Sequence, residues 1–185
     1  MAGQAPGLTP PNRFITDHDE KGQAIFSTTI PEPLPATDPG NGDKFYLGYT
    51  TSQYPVEMSG GADISVYSRY LEKNPGVVVP GGTVLRIVDL RPGGESPMHR
   101  TVSLDYGVVL EGEIELVLDS GEIRLMRRGD VSIQRGTMHA WRNKSQTEWA
   151  RMLYVLQEAQ PLEVGGKKLG EDYGKGMEGV KPSGN

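Results

Sequence analysis

From Val77 to Gln157 the chain is a succession of short β-branched runs, each closed by a turn that carries glycine or aspartate. The runs are Val77–Val79, Thr83–Leu90, Tyr106–Leu110, Glu113–Asp119, Glu122–Met126, Val131–Gln134, Ala140–Arg142 and Glu148–Gln157. Strands this short and this closely spaced leave no room for crossover helices, so they predict an antiparallel all-β sandwich or barrel. Alternation refines one of them. Ile114, Leu116 and Leu118 share one face while Glu113 and Glu115 share the other, which describes a strand with one buried and one solvated side. Asp119-Ser120-Gly121 then reads as a hairpin turn leading into Glu122–Met126.

The rest of the chain divides around that block. Residues 1–12, with three prolines and two glycines, read as a disordered tail. Residues 13–76 read as an N-terminal extension, residues 77–162 as the barrel, and residues 163–185 as a flexible glycine-rich tail. The extension is expected to hold strands at Ala24–Thr28 and Lys44–Tyr49 and one helix over 63–74. In that helix Ile64, Tyr67 and Leu71 align on one face, and Asp63 is placed to cap the start. Tyr67, Arg69 and Tyr70 either pack the helix onto the barrel or lie over its mouth as a lid.

Composition removes several functional classes. Without cysteine there is no disulfide framework, thiolate metal site or cysteine nucleophile. A net charge of -5 argues against general nucleic-acid binding, and the pair Lys167-Lys168 is too short for a basic patch. No apolar run approaches the roughly 18 residues of a membrane span. Residues 1–12 lack the basic start and apolar block of a secretory leader, so a cytoplasmic protein without a membrane partner is expected. Ser103 and Ser132 lack the surroundings of a hydrolase nucleophile, and no glycine-rich phosphate loop follows a strand.

Of three histidines, His18 sits between Asp17 and Asp19 and reads as a solvated surface residue. His99 and His139 each follow a turn rich in glycine or proline, in two blocks of ordered spacing: Gly93, His99, Asp105 and Gly112, then Gly129, Gly136, His139 and Asn143. These blocks resemble the two motifs of the cupin family, over about Val79–Leu156. Asp105 stands for the usual glutamate, Thr101 for the second histidine of the first motif, and Gln134 for a proline in the second. The strings around His99 and His139 are closer still to fungal secondary-metabolite cupins. The resemblance implies a jelly-roll barrel, a double-stranded β-helix whose mouth brings His99 and His139 together.

Two kinds of chemistry are then open. With a metal, His99, His139 and Asp105 would form a two-histidine, one-carboxylate face suited to iron, manganese, zinc or nickel and to a dioxygenase. Without one, no cofactor is required: His99 and His139 serve as acid and base, with Asp105 and Thr101 in support and Asp105 orienting an imidazole or raising its pKa. That set suits a lyase or isomerase performing dehydration, decarboxylation or cyclisation of a polyketide-like small molecule. A non-catalytic binding barrel is the third reading, favoured by Thr101 where a histidine is usual. Trp141, Arg86, Tyr106, Val109 and Gln134 are the expected substrate-binding residues. Arg86 either points outward or reaches a substrate carboxylate or phenolate. The apolar residues of the extension (Phe14, Ile15, Ile25, Phe26, Phe45, Tyr46 and Leu47) need a cover, for which a second copy in a homodimer is expected.

Overall fold

The computed structural model describes residues 7–175 and residue 183. In chain order the strands are β1 (Thr16–His18), β2 (Ala24–Phe26), β3 (Ala36–Thr37), β4 (Lys44–Thr50), β5 (Thr83–Leu90), β6 (Ser103–Glu111), β7 (Glu113–Leu118), β8 (Ile123–Arg127), β9 (Val131–Arg135), β10 (His139–Asn143), β11 (Ala150–Glu158), β12 (Leu162–Val164) and β13 (Lys167–Leu169). The helix α1 spans Ala62–Glu72, between β4 and β5. A six-stranded antiparallel sheet in the order β3-β4-β5-β11-β6-β9 faces a three-stranded sheet in the order β10-β7-β8. This is the antiparallel all-β architecture that the spacing of the turns predicts, in the jelly-roll form that the cupin resemblance implies.

Parity along each strand decides what fills the space between the sheets. Cross-strand register aligns Val88, Met152 and Val109 in one row, and Val84, Leu156 and Asp105 in another. Val88, Val109 and Met152 pack with Ile114, Met126 and Trp141 from the opposite sheet into one core cluster. Each such side chain contributes about 1.5–3 kcal/mol when fully buried. The predicted hairpin forms between β7 and β8, with Gly121 at a φ of +87°. Few residues other than glycine adopt that conformation cheaply.

The extension contributes a strand to the main sheet of the barrel. β4 pairs along β5 as an integral member of the six-stranded sheet. On the outer face of that sheet Leu34 and Tyr46 cover Ile87, while Asp89 is fully buried and paired with Arg151 through two bonds of 2.5 and 2.7 Å. Tyr46 and Leu47, expected to await a second copy, are therefore buried by their own chain; Phe14, Ile25 and Phe26 remain exposed around β1 and β2.

The tails are also better tied than their composition suggests. Arg151 donates to the Thr9 carbonyl at 3.0 Å, Leu34 donates to that of Pro11 at 3.0 Å, and Asn12 bridges to Pro33. Beyond the barrel, β12 and β13 form a hairpin, and Asp172 bridges to Arg100. Residues 1–6, 176–182, 184 and 185, which the expected tails include, lie outside the described residues.

Local expectations fail in two places. Val77–Val79 forms no strand, although Val78 and Val79 are buried. The cap position of α1 is Gly61, not Asp63, whose carboxylate instead accepts the Tyr49 hydroxyl at 2.7 Å. The helix packs rather than gates: Tyr67 is fully buried, its hydroxyl donating to the Leu47 carbonyl at 2.6 Å. No helix among the described residues is long and apolar enough to cross a membrane.

Candidate active site

His139 opens β10, and the segment before β6 runs antiparallel beside it. The two histidines meet as a bridge in which each backbone N–H donates to the other's carbonyl at 2.9 Å. Directly opposed residues project from the same side of the sheet. The imidazole centroids accordingly lie 4.4 Å apart at an interplanar angle of 48°, both rings buried.

The rings are anchored in the same local way. Nδ1 of His99 lies 2.8 Å from the Pro97 carbonyl, and Nδ1 of His139 lies 2.9 Å from that of Thr137, each two residues upstream. A carbonyl only accepts, so Nδ1 carries the proton in both rings and Nε2 of the neutral imidazole is left as a lone-pair acceptor. Burial lowers the pKa of His99. Burial, reinforced by the neighbouring His99, pushes His139 down to about 4. Both rings are therefore neutral at pH 7.

Both line an apolar cavity of about 100 Å³ between the sheets. Trp141 stands beside His139, centroids 5.4 Å apart, with Tyr154 beyond it at 5.5 Å. Gly107 lies opposite Tyr154, and an added Cβ there would meet the Ser132 hydroxyl at 2.5 Å and the Tyr154 ring at 3.2 Å. Gln134 lines the cavity and accepts the Thr137 hydroxyl at 2.6 Å. Arg86 also lines it, on the inner face of β5.

Asp105 is placed differently from its expected role. It borders the cavity, but its carboxylate accepts from Thr101 Oγ1 at 3.0 Å and from the Ser103 hydroxyl, not from an imidazole. Backbone carbonyls orient the histidines instead, and Thr101 supports Asp105. Desolvation raises Asp105 to about 6 despite the lowering effect of the Ser103 and Thr101 hydroxyls.

Two expected contacts fall away. Tyr106 follows the inward Asp105 on β6, so it points outward and is 41% exposed. Val109 does face inward, but it is completely buried within the core cluster and is not part of the cavity wall. The wall instead includes Asp43 and Phe45, brought by the extension, and Tyr154 from β11. The alternation of Thr101, Ser103 and Asp105 was the sequence signal for the hydroxyl pair: Ser103 and Asp105 share the inner face of β6, and Thr101 lies just before that strand. Nothing local marked Asp43 or Phe45.

The two-histidine, one-carboxylate metal face does not assemble. Among the described residues no three histidine, cysteine, aspartate or glutamate side chains converge on one point. The donor set comes down to two Nε2 atoms, short of the three protein ligands usual for a catalytic site.

Comparison with known proteins gives the family. The cupin domain family matches residues 86–156, the stretch that carries both histidines. A relative from Diaporthe leptostromiformis, Phomopsin biosynthesis cluster protein D, is 57% identical over 98% of this chain and 96% of its own length. The chain is a member of the cupin family. Oryzines biosynthesis cluster protein J of Aspergillus oryzae is 48% identical to this cupin, covering 89% of the chain and 92% of that protein. The cupin-domain-containing oxidoreductase srdB of Neurospora crassa is 42% identical, covering 92% and 85%. Relatives of this cupin are thus named from fungal biosynthesis clusters, and some of them are named oxidoreductases.

Proposed function

We propose that this cupin is a small-molecule enzyme of lyase or isomerase type, serving a fungal biosynthetic pathway and requiring no cofactor. The observation that supports it is the pair of neutral imidazoles presenting Nε2 side by side to one apolar cavity. One Nε2 takes a proton from an activated C–H or O–H of the substrate. The imidazolium so formed is a strong acid, because burial disfavours its charge. It returns the proton to a neighbouring carbon in an isomerisation or cyclisation, or to a departing hydroxyl in a dehydration. In the last case the C–O electron pair leaves with the oxygen and water is released, so protons balance and no oxidant is consumed. Asp105, with its pKa near that of a free imidazole, is a second group able to hold or supply a proton at the cavity wall.

The test uses the intermediate that accumulates in a strain lacking the gene. Purified protein should convert it to a product of unchanged mass, or lighter by one water or one carbon dioxide, and His139→Ala should abolish conversion while the fold persists. Full activity in that variant overturns the assignment. A second reading, an oxidoreductase, is supported by the names of relatives such as the Neurospora crassa protein. Its product would gain oxygen or lose two hydrogens.

A further inference from the structure

Arg86 occupies an unusual position for a cation. It lies on the inner face of β5 between Val84 and Val88, with Tyr154 as its cross-strand neighbour on β11. Its guanidinium carbon stands 5.7 Å from the centre of the Phe45 ring. The hydrogen bond it makes among the described residues is a long one, from Nη2 to the Gly76 carbonyl at 3.4 Å. Nε is buried and has no acceptor among the described residues.

Other arginines of the chain are treated differently. Arg151 is held by Asp89, and Arg142 by Glu95 and Glu115. No carboxylate lies within ion-pairing distance of Arg86 among the described residues. The two acidic groups on the same cavity are already engaged, Asp105 by Thr101 and Ser103, Asp43 by the Arg91 backbone N–H and the Asn41 side-chain amide. Among the described residues Tyr173 also acts on Arg86, but its hydroxyl is directed to Glu171 and burial keeps it protonated.

A half-buried guanidinium whose Nε is sealed from solvent without an acceptor is costly to maintain unless an anion arrives. The cavity offers that anion a particular setting. One positive charge in a planar fork matches one carboxylate bidentately, whereas a phosphate dianion calls for further cations that the wall lacks. Phe45, Val88, Trp141 and Leu156 surround the rest of the space with apolar surface. We infer that Arg86 is the seat for the carboxylate of an otherwise apolar small acid, bound in the cavity that holds both imidazoles. The inference rests on that cavity being the substrate site, and it sharpens the substrate class to organic acids that present an apolar body to His99 and His139.

The test needs no knowledge of the natural substrate. Benzoate and benzamide share shape and differ in charge, so their binding to the full-length protein is compared by tryptophan fluorescence or calorimetry at low ionic strength. The expected result is benzoate binding tighter by about ten-fold or more, as a charge-assisted bond predicts. Arg86→Met should erase the preference, and Arg86→Lys, which keeps the charge and loses the fork, should retain part of it. Arg124→Met, at an exposed arginine away from the cavity, should keep it in full. Benzoate binding no tighter than benzamide in the wild-type protein, including binding of neither, overturns the inference whatever the variants do. That outcome leaves the acid–base reading standing, while full turnover by His139→Ala would remove the acid–base reading and leave the carboxylate seat intact.

Discussion

His99 and His139 are opposed residues of a single antiparallel bridge, and it is their backbones, not their rings, that hold them together. Replacing either ring therefore removes chemistry without removing the bond between the segments. His99→Ala and His139→Ala are each expected to cut turnover by about 100-fold to 10,000-fold, the usual range for a general acid or base. Melting temperature should move only by the cost of a small local cavity. A loss of cooperative unfolding in both variants would make the pair structural.

The pH dependence of stability carries opposite signs at the two kinds of buried group. His139 titrates lower in the folded protein than the ordinary 6.5, at about 4, so the stability it gives is complete above 6.5 and is lost as pH falls toward 4. Asp105 titrates higher than the ordinary 3.8, at about 6, so its contribution is complete below 3.8 and is lost as pH rises through 6. Each window is worth up to about 3 kcal/mol, and in the wild-type protein they oppose each other. Asp105→Asn should expose the histidine limb, with stability falling steadily from pH 6.5 to 4. His139→Gln should tilt the profile the other way. Denaturant midpoints measured across that range decide it, and two unchanged profiles would contradict both assignments.

Metal removal is expected to be without effect. Dialysis against a chelator should leave turnover and thermal midpoint as they were, because two Nε2 atoms without a third protein donor make a weak site. Loss of turnover on chelation, restored by one divalent metal, would transfer the chemistry to the oxidoreductase reading.

The Asp89–Arg151 pair on the back of the main sheet gives a purely structural prediction. Asp89 is fully buried, and its removal leaves a largely buried guanidinium without its partner. Asp89→Ala should cost about 3–5 kcal/mol, as breaking one side of a buried pair does. Equilibrium unfolding measures it, and a cost below about 1 kcal/mol would mean that water reaches the pair and weakens it to the level of a surface bridge.

The barrel was legible in the sequence because turn residues punctuate it and parity within each strand is unambiguous. The juxtaposition of His99 and His139 was legible only through the matched spacing of two motifs. Asp105 was misread because spacing says that a carboxylate is near an imidazole, and not which hydroxyls reach it first. The Ser103 side chain does so from the same face of β6, and Thr101 from the segment just before it. Tyr106 failed on parity, since its neighbour Asp105 faces inward. Val109 has the right parity and fails on depth, which depends on how far Trp141 and Met152 fill the barrel. The aromatic run Lys44–Tyr49 showed a strand but not its partner, because pairing with β5 is a long-range choice that the local pattern does not encode.

Arg151 grips Asp89 and, with the same guanidinium, the carbonyl of Thr9. The consequence is that the stretch matched by the cupin family, residues 86–156, is not a self-sufficient module. Excised at those limits, it would leave Ile87 bare, wet one side of its ion pair, and forfeit Asp43 and Phe45 from the ligand's enclosure. A version of this scaffold that keeps both partners of Arg151 begins at or before Thr9.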